Sequence, residues 1–78
     1  MNMYSYRESL KKQMIESVKE LFKLETVTSN LTDKLMENGV LKLQSEIITI
    51  DNTIYRKCTV INMETKQSRV FTVKLNNR

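Results

Sequence analysis

The spacing of apolar residues changes once along this chain, at Gly39, and that change sets the class of fold. Before Gly39 they recur at the helical period of about 3.6 residues, and after it they fall on every second residue. A chain that reads helix first and strand afterwards predicts an α+β fold, in which helices lie on one face of an antiparallel sheet.

From about Ser5 to Leu24, Leu10, Met14, Val18 and Leu21 form one apolar stripe, widened by Ile15 and Phe22. The other side carries Glu8, Lys12 and Glu16 one helical turn apart, pairs that add only about 0.2–0.5 kcal/mol each. Docking of the stripe must therefore supply most of the helix's stability. Thr26-Val27-Thr28-Ser29 interrupts this helix, and Ser29 or Asn30 is the expected cap of a shorter second one presenting Leu31, Leu35 and Met36. Asn38-Gly39 ends it, because glycine takes the left-handed conformation at least cost.

The remainder reads as a three-stranded antiparallel meander. With Asp51-Asn52 as a two-residue hairpin turn, Leu43 faces Val60, Ser45 faces Cys58, Glu46 faces Lys57 and Ile48 faces Tyr55. Opposite charges and aliphatic–aromatic pairs coincide in this register. A second turn over Glu64-Thr65-Lys66-Gln67 would set Val60 against Phe71 and Cys58 against Val73. The expected core side is Leu41, Leu43, Ile47, Ile54, Cys58, Val60, Phe71, Val73 and Leu75, covered by the first helix. One domain over 1–78 follows, helical over 5–37 and a β-meander over 40–76.

Missing residue types exclude much chemistry. With no His and one Cys, the chain cannot build a His/Cys zinc site or a Ser-His or Cys-His nucleophile pair. One Gly rules out the phosphate loop and the dinucleotide fingerprint, which need several positions free of Cβ. A small chain buries only about 60% of its unfolded surface, which leaves little room for a substrate cavity. The expectation is a protein that is not an enzyme, with no cofactor, no metal and no small-molecule substrate. Charges from Arg7 to Lys23 break any stretch apolar enough for a signal peptide or a membrane span, and the lone Cys suits a reducing cytoplasm. The sequon Asn30-Leu31-Thr32 is read as helix-capping chemistry.

Four features resemble sites, and each has a plainer reading. Cys58, placed on the inner face, is a small buried hydrophobe rather than a reactive thiol. Glu16 and Glu20 lie one turn apart, but Lys12, Lys19 and Lys23 surround them as a solvated helix face. The second helix offers Lys34 against Asp33 and Glu37, the wrong electrostatics for a DNA-reading helix. Met14 is core, while Met3, Met36 and Met63 fall near the expected rim.

Function is therefore expected on the sheet. Residues 1–38 balance six basic against six acidic side chains, so the net charge of +4 belongs to residues 39–78. Lys42, Lys57 and Lys74 fall on the outer face with Tyr55, a pattern suited to single-stranded nucleic acid. Ile48, Ile50, Tyr55, Ile61, Met63 and Val70 also point outward, more apolar surface than a face meeting only water should show. The leading expectation is a small cytoplasmic binding or regulatory protein whose interface is Ile48, Tyr55, Ile61, Met63 and Val70. Its partner is another protein, with a second copy of the chain as one candidate. The alternative is a nucleic-acid-binding module using Lys42, Tyr55, Lys57 and Lys74. Richness in Lys, Ile, Asn and Thr with no Pro or Trp is the imprint of an AT-rich microbial or phage genome, which suits a short accessory gene.

Overall fold

The stripe of Leu10, Met14, Val18 and Leu21 forms helix α1, Met3–Phe22, which buries Met14, Val18 and Leu21. A computed structural model describes residues 3–75, with side chains from Tyr6 onward. α1 stops short of the expected Leu24 because Lys23 adopts φ 54°, and the Leu24 amide turns back to the Lys19 carbonyl at 3.0 Å. That is the C-terminal closure usually given to glycine, carried here by a lysine.

Helix α2 spans Ser29–Glu37, and its cap is Thr28 rather than the expected Ser29 or Asn30. The extended backbone of Thr28 lets its side chain accept from the Leu31 amide at 3.2 Å. Thr32, the third residue of the sequon, is buried, and its hydroxyl donates to the Thr28 carbonyl. The other end closes as expected. Gly39 takes φ 74°, its amide reaches Met36 O at 3.2 Å, and the Val40 amide reaches Leu35 O at 3.0 Å. The two bonds form a Schellman motif.

Three antiparallel strands follow, β1 Leu41–Ile50, β2 Thr53–Asn62 and β3 Ser68–Lys74, in the order β1-β2-β3. The β1–β2 register is the expected one over its whole length, from Leu41 opposite Asn62 to Ile50 opposite Thr53. Asp51 and Asn52 both have positive φ, 49° and 65°, as the tight hairpin turn requires.

The β2–β3 register is shifted by two residues from expectation: Cys58 faces Phe71, Val60 faces Arg69 and Arg56 faces Val73. Asn62 is the cause. Its Oδ1 accepts from the amides of Glu64 and Thr65, at 2.9 and 3.4 Å, while its own amide donates to Gln67 O. The turn therefore occupies 63–66 instead of 64–67. The buried Asn62 amide group also donates to Leu21 O at 2.9 Å, tying this turn to the end of α1.

Both helices lie on the same face of the sheet. Met14, Val18 and Leu21 meet Leu41, Cys58, Val60, Phe71 and Val73 in one core cluster, with Leu31 and Leu35 of α2 packed against it. Two expected core residues stand outside it: Ile47 is 62% exposed and Ile54 38%. Leu43 and Leu75 are only half-buried. The nine residues of α2 rise about 14 Å. The ten of β1 run about 34 Å, so α2 can cover only one end of that strand. Among the described residues, no helix is long and apolar enough to cross a membrane.

Candidate functional site: the outer face of the sheet

Strand alternation sends Lys42, Gln44, Glu46, Ile48 and Ile50 of β1 away from the helices, together with the residues they oppose on β2 and β3. The registers arrange this outer face in rows. From the Gly39 end these are Lys42–Ile61–Ser68, Gln44–Thr59–Val70, Glu46–Lys57–Thr72, Ile48–Tyr55–Lys74 and finally Ile50–Thr53. Four of the five expected interface residues, Ile48, Tyr55, Ile61 and Val70, are placed on this side by the registers, and Met63 follows β2 directly, its amide continuing the ladder to Val40 O. Ile48, Tyr55, Ile61 and Met63 are half-buried, while Val70 is 53% exposed and Ile50 52%.

The rows also divide the apolar residues. Ile61, Met63 and Val70 gather at the Gly39 end, and Ile48, Ile50 and Tyr55 gather at the hairpin end. Between them run Glu46, Lys57 and Thr72, flanked by Gln44 and Thr59. The Lys57 ammonium stands 3.9 Å from the Glu46 carboxylate, with both side chains well exposed. Such a surface pair contributes at most about 1 kcal/mol. The face therefore offers two apolar grips on either side of a polar bar.

The plainer expectation for this apolar set is that α2, or the N-terminal Met3, Tyr4 and Tyr6, folds back over it; instead Tyr6 and α2 pack against the core on the opposite side. The side chains of Met3 and Tyr4 lie outside the described ones.

The three lysines run diagonally, Lys42 at one end of β1, Lys57 at the centre and Lys74 beside Tyr55. The sheet's other two cations point the opposite way. The Arg56 guanidinium donates to the Tyr6 hydroxyl at 2.8 Å and to Ser45 Oγ at 3.3 Å. Arg69 donates to Gln13 Oε1 at 3.1 Å and Ser17 Oγ at 2.9 Å, with Glu20 at 3.8 Å. Both arginines fasten α1 to the sheet, so the positive excess of 39–78 is shared between the two faces. The Glu20 carboxylate, read from sequence as part of a solvated face, is thus also a partner of β3.

Cys58 is fully buried between Ser45 and Phe71. Burial pushes its thiol up, against a smaller downward pull from Arg56. A thiol held neutral in this way is a packing residue.

A second concavity lies between α1 and α2. Leu10, Met14, Ile15, Met36 and Leu43 line it, with Arg7, Lys11 and Asp33 at its rim, around a volume of about 280 Å³. This groove is not legible from the sequence, because it depends on how far apart α1 and α2 sit over the sheet. Sequence reasoning also missed the bare hairpin end, where Ile47 and Ile54 put apolar surface on the inner face as well. The signal available was the mismatch between a short second helix and a long first strand. No family model, curated protein or solved structure matches this chain.

Proposed function

We propose that this chain is a small non-catalytic binding module that acts in the cytoplasm by gripping another protein with the outer face of its sheet. One observation carries the reading. Both helices pack on the inner face, and Ile48, Tyr55, Ile61, Met63 and Val70 stand on the other with no helix over them among the described residues. A face built only to meet water would carry polar residues at most of those positions. Lys42, Lys57 and Lys74 would favour a partner with an acidic surface and discourage basic ones.

A second reading is supported by Tyr55 lying directly opposite Lys74, an aromatic and a cation side by side on an open sheet. In that reading the ring stacks on a base of single-stranded nucleic acid and the lysines follow its phosphates. The inward turn of Arg56 and Arg69 weakens it, because arginine is the better phosphate ligand.

A photo-reactive phenylalanine analogue replacing Val70, compared with one replacing Glu8 on α1, separates the readings in the native cell. An adduct from position 70 alone, unchanged by nuclease, is the expected result. An adduct that nuclease removes supports the second reading. Equal labelling from both positions contradicts any role for this face.

A further inference from the structure

We propose that the open edge of β1 pairs with the same edge of a second copy of this chain, antiparallel about a two-fold axis through Gln44. The two three-stranded sheets then become one of six strands. The inference goes beyond the sheet-face reading and does not rest on it, since an edge can pair whether or not the face is occupied.

The backbone dictates the kind of occupant. In an antiparallel pair, alternate residues bond to the neighbouring strand and the others point away from it. The Met63 amide donates to Val40 O at 2.8 Å, which sets the phase: even-numbered residues of β1 bond to β2. The N–H and C=O groups of Leu41, Leu43, Ser45, Ile47 and Thr49 therefore face outward from an edge strand. Only another extended strand satisfies that row in full.

Natural edges are usually blunted by proline, a bulge, short length or an inward-pointing charge. β1 has no proline, bulge or inward-pointing charge and is not short; its one edge lysine, Lys42, lies on the outer face with Glu46. The strand runs ten residues, Leu41 to Ile50, in unbroken pairing, and its inner-face residues Leu41, Leu43, Ser45, Ile47 and Thr49 are all uncharged. β3, the other edge, is seven residues long and carries Arg69 on its inner face.

The side chains favour a second copy, and they select a register. β1 holds two charges of opposite sign, Lys42 and Glu46, placed symmetrically about Gln44. Pairing about Gln44 sets each Lys42 opposite the Glu46 of the other copy, twice over, where close cross-strand charges attract. Pairing about Glu46 would instead put two carboxylates face to face.

The Gln44 register also matches apolar residues. Leu41 meets Ile47 on the inner face, and Val40 meets Ile48 on the outer. Ile47, bare in the single chain, is thereby carried to the side of the sheet where Leu43 and the 38% exposed Met36 line the interhelical groove.

Cysteine placement tests the axis. In this register the two residues at 44 form a pair without hydrogen bonds, whose Cα atoms sit about 4.5 Å apart, within the range that a disulfide spans. Gln44→Cys should therefore oxidise to a covalent dimer much faster than Thr72→Cys on β3, while native Cys58 is buried and should not link chains.

Charge exchange supplies the second test. Sedimentation of the wild type should show a dimer, Lys42→Glu should weaken it about tenfold or more, and Lys42→Glu with Glu46→Lys should restore it. Val70→Glu, on the outer face of β3, should leave both measurements unchanged, so a failure of the sheet-face reading would not touch this one. The proposal is overturned if the wild type is monomeric up to its solubility limit, if Gln44→Cys links no faster than Thr72→Cys, or if the double exchange fails to restore association.

Discussion

Leu41 and Ile47 stand on the same strand, point to the same face and are both large aliphatics, yet Leu41 is 2% exposed and Ile47 62%. The contrast extends across the sheet. At the Gly39 end, Leu41, Val60, Asn62 and Phe71 lie beneath the helices, held by the bond from Asn62 to Leu21 O and the reach of Arg69 to Gln13 and Ser17. At the hairpin end, Ile47, Ile50 and Ile54 keep much of their surface. Alternation determines which way a strand residue points, while the length and placement of the covering helices determine whether it is buried.

Removing methylenes at each end breaks the comparison most directly. Leu41→Ala should destabilise the domain by about 2–5 kcal/mol, since the cavity it leaves is closed over by helix. Ile47→Ala, measured in dilute protein, should cost less than about 0.5 kcal/mol as a surface substitution. Denaturant unfolding of both variants checks the pair, and equal losses would mean that the hairpin end is covered too.

A smaller effect lies in the pH dependence of the covered end. Burial raises the Cys58 thiol in the folded chain, while the unfolded chain ionises near its ordinary value of about 8.5. The unfolded state then loses its proton first. Stability is full below about pH 8.5 and declines as pH rises towards the folded value, by at most about 1.4 kcal/mol per pH unit. Cys58→Ala should remove this component of the decline, and thermal unfolding from neutral to alkaline pH should show a flatter profile for the variant.

Much of the fold was legible for local reasons. Asp51-Asn52 admits one tight turn, and that turn fixes every pair from Ile50–Thr53 to Leu41–Asn62. Gly39 marked the helix end because its φ is positive. The misreadings came from residues whose role depends on something distant or atypical. Asn62 draws the second turn one residue earlier and shifts β3 by two, using a side-chain carbonyl that also depends on α1 being in place. Lys23 ends α1 in a conformation that lysine rarely takes. Thr28 caps α2 from within a run of equally plausible hydroxyls.

The site was legible as a face, because side-chain direction follows strand parity. Its division into two apolar grips appears only when rows are read across all three strands, which required the true β3 register. The inward turn of Arg56 and Arg69 could not be read from charge counts, since it depends on Tyr6, Gln13 and Ser17 lying within reach.

The central claim is that, among the described residues, this sheet has one covered end and one bare end, with a free edge along β1. Amide hydrogen exchange along β1, in protein dilute enough to sediment as a monomer, tests it most directly. Gln44, Glu46 and Ile48, bonded to β2, should be protected while Ser45, Ile47 and Thr49 exchange rapidly. Ser45 and Ile47 should become protected as concentration rises, whereas Thr49, opposite the left-handed Gly39 of the second copy, should stay fast. Uniform protection from Leu41 to Ile50 in the dilute monomer would contradict it, because the edge would then already be covered within one chain.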